Sequence, residues 1–421
     1  MNTFMTGVHV VAALATVLVV GYLGRWAARA AGQPPVVGEL AVGMLIGPAL
    51  LGWLWPQAKQ VLLPTPVLDV LGQIGHAGLV LYLVGVAHEL RLDSSRLRDR
   101  AIPWTTVGSL LPSLLAGSVL AGWLLWGDRP ELRGTTPVLA FVLMVSIAMA
   151  VSAVPALARI LTDRGLTTTR SGRLAMTSAV IIDALAWLML AVVLGIEKGG
   201  ASGIAFTVVV LVAGLVATTV VRRLLAHEPA GRFAERLPRV AAVLVAAGAL
   251  SSAAWAEKWG LTGIFGAFVV GLMLPVGSAH WDAPVRWVAK LGLWLVPVFF
   301  ITAGLKLWTG SGGIPWLVAV VATVLAVLAK IGGGYFFSRR GGEDQPGSLR
   351  VGVMLNTRGL TEIILLQTGY NAGVITPALY LALLVMALVT TVMTGPLLTA
   401  IDRFLPADRA PRREVGHAFT K

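Results

Sequence analysis

The sequence has 421 residues, of which 57% are hydrophobic and 13% charged, and its mean hydropathy is +0.82. A soluble domain carries about 25% charged residues, so this composition excludes an ordinary soluble protein. The formal net charge is +13, and the absence of cysteine excludes disulfides, cysteine-ligated zinc and thiol chemistry.

Apolar runs of about 20 residues recur along almost the whole chain, each long enough to cross a hydrocarbon core. The first run has no basic residue before it and no small-residue cleavage site after it, so we interpret it as a membrane helix rather than a signal peptide. The pattern predicts a polytopic all-α membrane protein with about 13 spans. The predicted spans are residues 4–24, 35–53, 65–88, 103–126, 136–162, 174–196, 203–221, 239–256, 260–275, 289–307, 315–337, 351–370 and 378–400.

The basic residues alternate in number between successive connecting segments. If the N-terminus lies outside, 24 of the 33 lysines and arginines fall inside, six fall outside and three lie within spans. This asymmetry follows the positive-inside rule and predicts an outside N-terminus and an inside C-terminus. It also explains the positive net charge without a nucleic-acid partner. The expected location is the cell membrane, with the lipid bilayer as partner.

Two pairs of segments resemble each other across the chain. AVGMLIGP (41–48) resembles VVGLMLP (269–275), and YLVGVAHEL (82–90) resembles FFITAGLKL (299–307). The members of each pair are seven spans apart, and because seven is odd, the second copy must be inverted in the membrane. Inverted repeats of this kind build many secondary transporters, with the substrate site near the midplane.

The repeat divides the chain into one transporter domain and a tail. The first repeat covers about 4–196, a linker helix about 203–221, and the second repeat about 239–400. Together these form a single transmembrane domain over 1–400, followed by a short basic tail at 401–421.

Two spans at corresponding places in the repeats carry helix-breaking residues. The fifth contains SAVPALARIL with Pro155 near its middle, and the twelfth contains MLNTRGLTEIIL with Asn356 and Thr357 beside a glycine. Such interruptions are tolerated at membrane depth only where they line protein or water. The sequence therefore predicts two crossed discontinuous helices whose half-helix ends meet at one centre.

Three charged residues lie near the middle of the membrane. Counted from the basic residue at the cytosolic end of each helix, Asp183 lies about 15 Å deep, Lys330 about 13–14 Å and Arg358 about 12 Å. A charge at the bilayer centre costs several kcal/mol and marks a functional site. We predict that Asp183 binds either a proton or a monovalent cation, with no other metal. Lys330 alternatively neutralises the aspartate, and Arg358 either positions the break or contacts the ion's path.

Other ionisable residues receive supporting or structural roles. Glu362 follows Arg358 by four residues and is placed to pair with it on one helix face. Arg159 lies nearer the inner surface, where a structural role is favoured. We interpret Glu39 and His76 as packing or dimer-face residues.

Six segments resemble, in matching order, the second monovalent cation:proton antiporter family, especially plant cation/proton exchangers and related actinobacterial proteins. They are GELAVGMLIGPALLG, SAVPALARIL, GIFGAFVVGLMLP, PVFFITAGLKL, LNTRGLTEIILL and MALVTTVMTGPLL. The resemblance implies a homodimer in which a core part moves against a scaffold part like an elevator. It also implies that Asp183 is the ion-binding aspartate, Lys330 the core lysine and Arg358 the arginine of the second broken helix.

One position departs from that family. The family carries Asp or Asn directly before its ion-binding aspartate, and this chain has Ile182 there. The usual partner of the core lysine is thereby lost, so Lys330 pairs with Asp183, reaches Glu362 or is neutral. A single carboxylate fits electroneutral exchange of one cation for one proton. The residues expected to support the site are Lys330, Arg358, Glu362, Asn356, Thr357, Ser152, Pro155 and Ile182.

The alternative function is a proton-coupled exporter of an organic or ion-complexed metabolite on the same fold, which the apolar Ile182 favours. An intramembrane aspartyl protease needs two aspartates, and only Asp183 is placed for that role. No H-E-x-x-H motif occurs for a zinc protease. We therefore expect a secondary transporter of sodium or potassium rather than an enzyme, and no cofactor.

Overall fold

The computed structural model describes residues 3–31, 33, 38, 41–42, 64–89, 99–127, 132–258, 263–275, 279–308 and 313–405. Within these ranges the protein is helical, and the one β-bridge there is an isolated pair between Arg133 and Ile375. The predicted span 35–53, with Glu39, lies almost wholly outside the described residues, as does most of the tail.

Fifteen α-helices are described in these ranges, together with one π-helical turn, Leu328–Gly332, that joins the eleventh helix to the twelfth. The helices are α1 (Thr3–Ala30), α2 (Thr65–Glu89), α3 (Ala101–Trp126), α4 (Val138–Ala150), α5 (Val154–Asp163), α6 (Arg170–Leu225), α7 (Glu228–Arg236), α8 (Pro238–Lys258), α9 (Gly263–Met273), α10 (Ala279–Trp308), α11 (Trp316–Val327), α12 (Gly333–Arg340), α13 (Gln345–Leu355), α14 (Leu360–Asn371) and α15 (Pro377–Phe404).

These helices agree with most of the predicted spans. Eight helical segments in the described ranges are long and apolar enough to cross a membrane. Two predicted spans are each split into two shorter helices, 136–162 into α4 and α5 and 351–370 into α13 and α14. The prediction of two discontinuous helices is therefore confirmed.

Helices α2 and α10 lie antiparallel in close contact. A Cβ atom at Gly75 would lie 2.6 Å from the backbone nitrogen of Phe299, so the two helices approach each other closely where no side chain intervenes. At the other end of the pair, His88 Nε2 lies 3.2 Å from Asp282 Oδ1. We call the end of the bundle where α2 finishes and α3 begins the basic face, and the opposite end the far face.

Helix α6 reverses direction between its two ends. Its 56 residues would measure about 84 Å if straight, far more than a bilayer needs. Yet Arg170 at its start donates to the Gly342 carbonyl at 3.0 Å, and Leu225 at its end accepts from the Trp281 indole at 3.3 Å. Both contacts are at the basic face. The segment Arg170–Leu225 therefore contains both predicted spans, 174–196 and 203–221, which run in opposite directions.

The helices pack as two groups. The scaffold group comprises α1, α2, α8, α9 and α10, and the core group comprises α3 to α5, the first part of α6, and α11 to α15. The groups meet where α6 packs on α9, with the rings of Trp187 and Phe268 6.3 Å apart. One apolar cluster crosses this seam, with Val84 and Phe300 on one side and Phe141 and Tyr380 on the other, all fully buried.

A charged cluster ties the core group together at the basic face. Arg170 at the start of α6 lies 3.3 Å from Glu343, between α12 and α13, and 3.8 Å from Asp99, before α3. Burial raises the pKa of the Glu343 carboxyl above its ordinary value, and the nearby Arg170 guanidinium partly opposes that shift. Arg350 in α13 donates to Asp402 in α15 at 2.8 Å. These contacts join the start of α6 to the segment before α13, and α13 to the end of α15.

Candidate functional site

Two broken helices cross at the centre of the core group. Residues 151–153 separate α4 from α5, and residues 356–359 separate α13 from α14. The Ala153 N–H donates to the Thr357 carbonyl at 3.0 Å, and the Ser152 hydroxyl donates to the Leu355 carbonyl at 2.8 Å. A Cβ atom at Gly359 would lie 3.2 Å from that of Ala153, so the two extended segments are in close contact. The predicted crossing is confirmed in this arrangement.

Pro155 lies differently from the prediction of a mid-helix kink. The helix breaks before it, and Pro155 occupies the first turn of α5. That position suits proline, because the first backbone N–H groups of a helix have no intrahelical acceptor and the fixed φ of proline fits a helix start. Its ring lies outside the described side chains, and so does the side chain of Arg159.

The C-terminal end of α4 is capped by two buried cations. Lys330, in the π-helical turn, donates to the Ala150 carbonyl. Arg358, in the second break, donates to the Ala148 carbonyl and, at 2.6 Å, to the Met149 carbonyl. The last four carbonyls of a helix have no intrahelical partner and carry its negative dipole end. Three of them are satisfied here by positive charges.

The partner of Lys330 is thus a backbone carbonyl rather than a carboxylate. The sequence left three possibilities, a pair with Asp183, a pair with Glu362 or a neutral lysine. The described hydrogen bond is neither of the two pairs. A neutral amine also donates to a carbonyl, so the neutral lysine stays a prediction. Arg358 instead donates to Glu362 at 2.9 Å, with both side chains fully buried, so the expected pair between these two residues is present.

Asp183 lies on α6 beside the crossing and is 2% exposed. Its Oδ2 accepts from the Thr361 hydroxyl at 3.4 Å, at the start of α14, and the Val154 backbone N–H, at the start of α5, faces the same carboxyl group. Its Oδ1 has no hydrogen-bond partner among the described residues. The Asn356 amide is likewise buried with neither atom bonded within that part of the chain. The site therefore retains unused oxygen acceptors at the start of two half-helices.

Two buried acids and two buried bases lie at the crossing. Asp183 and Glu362 are the acids, and Lys330 and Arg358 are the bases. Arg358 pairs directly with Glu362, whereas Lys330 donates to the Ala150 carbonyl at the carboxyl end of α4. Ile182 is fully buried in the apolar cluster around Leu157 and Met354, so the residue before Asp183 adds no charge.

Three threonines that were not among the predicted site residues contribute to the site. Thr361 contacts Asp183. Thr391 on α15 accepts from the Arg358 N–H at 3.0 Å and donates to the Arg358 carbonyl at 2.7 Å. Thr394 lies 3.4 Å from Thr357, hydroxyl to hydroxyl. Their signal was available, because Thr391 and Thr394 share one helix face in the apolar segment MALVTTVMTGPLL and Thr361 follows the glycine of the second break.

His76, expected to be a packing or dimer-face residue, lies at the far face. Its Nε2 lies 3.0 Å from Glu257 Oε1 on α8, and both side chains are about half exposed at a cavity on the far face. It is not part of the site around Asp183.

Residues 14–401 match the sequence model of a family described as sodium/hydrogen exchanger, transmembrane. The chain is 30% identical over 383 residues to a Na+/H+ antiporter of Synechocystis sp., a match that covers 88% of this chain and 91% of the relative. It is also 30% identical over 402 residues to cation/H+ antiporter 18 of Arabidopsis thaliana, covering 90% of this chain and 47% of the relative. The chain thus spans about half the length of that plant relative.

The fold is similar to that of a sodium proton antiporter from Methanocaldococcus jannaschii. The TM-score is 0.66 with 17% sequence identity, and the match covers 94% of this chain and 97% of that structure. At this identity the similarity concerns the fold, and it agrees with the all-helical arrangement with two broken helices described above.

Proposed function

Because the chain belongs to the sodium/hydrogen exchanger transmembrane family, we propose that it exchanges a monovalent cation for protons at Asp183. The observation that carries this proposal is the buried carboxylate itself, which lies at the crossing of two broken helices with one oxygen unpartnered among the described residues. A charge at such depth is costly unless it has a task or a partner. Members of this family are transporters rather than enzymes, and the chain is a multi-pass membrane protein.

The exchange follows from competition for one group. The Asp183 carboxylate accepts either a proton or a small cation, and the Thr361 hydroxyl and Asn356 amide are the nearest candidates for further oxygen ligands. If the site becomes accessible from the other side of the membrane only when it is occupied, the flux of the cation and the flux of protons are coupled. The Asp183 carboxyl group carries the same charge with a bound proton as with a bound monovalent cation. We therefore propose one-for-one, electroneutral exchange.

Alternating access requires the site to face each side in turn. The core group holds Asp183, both breaks and both cations, and it meets the scaffold group along one seam. The internal hydrogen bonds of the crossing support movement of the core group as a unit against the scaffold group. We propose sodium or potassium as the cation, the cell membrane as the location, an outside N-terminus, and a homodimer formed through the scaffold group.

A second candidate is proton-coupled export of an organic or ion-complexed metabolite. The observation favouring it is Ile182, a buried apolar residue directly before Asp183 in the chain. The two candidates differ in a direct measurement. An antiporter in liposomes dissipates an imposed pH gradient when sodium, potassium or rubidium is added, whereas an exporter of this kind gives no response to any of the three.

The test of the proposed site is Asp183→Asn, which keeps the shape of the side chain and removes its charge. We expect loss of exchange in liposomes, measured with a trapped pH dye, together with a thermal unfolding midpoint near that of the parent. Glu228→Gln is the matched control, because Glu228 is an exposed acid on α7 that pairs only with Arg232 in the described residues. Full exchange by Asp183→Asn would contradict the mechanism.

A further inference from the structure

A cavity of about 700 Å³ opens at the far face of the molecule, where the scaffold and core groups meet. Helices α2, α8 and α10 of the scaffold group and α14 of the core group line it. Its polar lining includes Asp69, Gln73, His76, Glu257, Gln367 and Asn371. Polar side chains therefore collect on both sides of the seam across which the core group moves in the proposed mechanism.

A histidine and a glutamate from different helices meet at this cavity. His76 Nε2 on α2 lies 3.0 Å from Glu257 Oε1 near the end of α8, with 42% and 50% of the side chains exposed. The start of α9 packs beside them, because a Cβ atom at Gly263 would lie 2.6 Å from Glu257 Oε1 and 2.9 Å from His76 Nε2. Three helices thus hold the pair in place while leaving it accessible from the cavity.

The lining offers the oxygen atoms that alkali cations bind. Gln367 donates through Nε2 to Asn371 Oδ1 at 2.9 Å, and its Oε1 is buried without a hydrogen-bond partner in the described ranges. Carboxylates from α2 and α8 add negative charge, which raises the local concentration of cations in a cleft with low-dielectric walls.

The cavity and the proposed site share helix α14. Gln367 follows Thr361, the partner of Asp183, by six residues of α14, which is about 9 Å along the helix. Val80 and Phe299 contribute apolar surface to the same lining, and Asp183 is not among the lining residues. The cavity is therefore separate from the crossing of the broken helices.

We propose that this cavity is an outer cation-binding vestibule, in which Glu257 binds a partly hydrated monovalent cation and protonated His76 competes with that cation for the carboxylate. The proposal rests on the proposed exchange function. A protonated imidazole at the observed 3.0 Å pairs with the Glu257 carboxylate and so excludes the cation from it. The titratable groups among the described lining residues are Asp69, His76 and Glu257, with none from α10 or α14.

Glu257→Gln tests the vestibule when cation is supplied to one face at a time, in right-side-out and everted vesicles. We expect the half-saturation concentration for sodium or potassium at the far face to rise about three- to tenfold, more than any change in maximal rate, because the local concentrating effect is lost. At the basic face it stays unchanged. Glu235→Gln is the matched control, since Glu235 forms a similar pair with His280 at 3.1 Å on the opposite side of the molecule.

His76→Gln tests the competition. We expect acidification of the far face to raise the half-saturation concentration there less in His76→Gln than in the control His280→Gln. Unchanged far-face kinetics in Glu257→Gln would overturn the vestibule, as would an effect of equal size at both faces. Asp183→Asn separates the two proposals. Exchange that survives in Asp183→Asn contradicts the proposed function. Loss of exchange in Asp183→Asn, together with parent-like kinetics in Glu257→Gln, contradicts the vestibule alone.

Discussion

The two broken helices have similar backbone breaks but different chemistry at their ends. The carboxyl end of α4 is capped by the side chains of Lys330 and Arg358. The carboxyl end of α13 is capped by neutral groups, namely the Ser152 hydroxyl on Leu355 and backbone N–H groups on Gly352 and Met354. The amino ends are alike, because each has a carboxylate nearby, Asp183 at α5 and Glu362 in the first turn of α14.

This difference separates what the fold requires from what the transport chemistry requires. Any helix that ends inside the membrane must have its free backbone groups satisfied, and neutral donors do this at α13. The basic side chains at α4 do more than satisfy carbonyls, since Arg358 also pairs with the buried Glu362. The repeat therefore provides two equivalent breaks, and the side chains make one of them the electrostatic centre.

The largest effect on the charged end is expected from Arg358→Met. It removes the donors to Ala148 and Met149 and leaves Glu362 as a buried carboxylate without its partner, which typically costs about 3–5 kcal/mol. Thermal unfolding in detergent should show a large fall in midpoint or loss of folded protein. Adding Glu362→Gln to this variant should recover part of the loss, because the unpaired charge is gone. A parent-like midpoint in Arg358→Met would mean that the pair contributes no stability.

Lys330→Met and Lys330→Gln separate the charge from the hydrogen bond. Methionine leaves the buried Ala150 carbonyl without its donor, at a cost of about 1–3 kcal/mol, whereas a glutamine amide can still donate to it. We expect the midpoint of the glutamine variant to lie above that of the methionine variant, with exchange impaired in both, since neither balances Asp183. If exchange in liposomes is normal in Lys330→Gln, the lysine charge has no part in transport.

At the neutral end, Ser152→Ala removes one hydroxyl donor to the Leu355 carbonyl. The expected loss is about 1–3 kcal/mol, smaller than in Arg358→Met because no charged partner is left unpaired. Exchange should remain, with at most a modest fall in rate. A loss of stability as large as that of Arg358→Met would show that the two breaks are equally sensitive and that charge does not distinguish them.

The smallest effect is expected away from both breaks, at Glu343. Burial raises the pKa of Glu343 in the folded protein. As the pH rises, the unfolded chain therefore releases this proton at a lower pH than the folded protein does. The free energy of unfolding falls between the ordinary pKa and the raised pKa. Glu343→Gln removes this contribution, so its unfolding midpoint should fall less than the parent's as the pH rises from about 4 through the raised pKa. Identical pH profiles would exclude the effect, and Glu228→Gln provides the exposed control.

Much of the fold could be predicted because membrane burial leaves a strong pattern in the sequence. The hydropathic runs located most described helices, and Pro155 together with Asn356 and Thr357 located both breaks to within a few residues. The placement of Asp183, Lys330 and Arg358 near one plane followed from the rise per residue along the predicted helices. These predictions depend on local patterns that each segment carries by itself.

The contacts that depend on tertiary geometry could not be predicted in the same way. The partner of Lys330 is a backbone carbonyl, and any residue at position 150 would supply it, so no residue type indicates the contact. The pair of His76 with Glu257 joins helices distant in sequence, and neither residue lies in a recognisable motif. The break before Pro155 rather than at it reflects the preference of proline for a helix start.

The π-helical turn at Leu328–Gly332 sets the orientation of α12 about its helix axis. A π turn holds one residue more than an α-helix of the same rise, so deleting that residue would rotate α12 by about 100° about its axis. Gly334 would then leave its contact with Gly352 of α13, where an added Cβ would already lie 2.8 Å from the Gly352 Cα. The same extra residue thus directs Lys330 toward α4 and a glycine face toward α13. Chain length in this segment is therefore as constrained as the identity of its lysine.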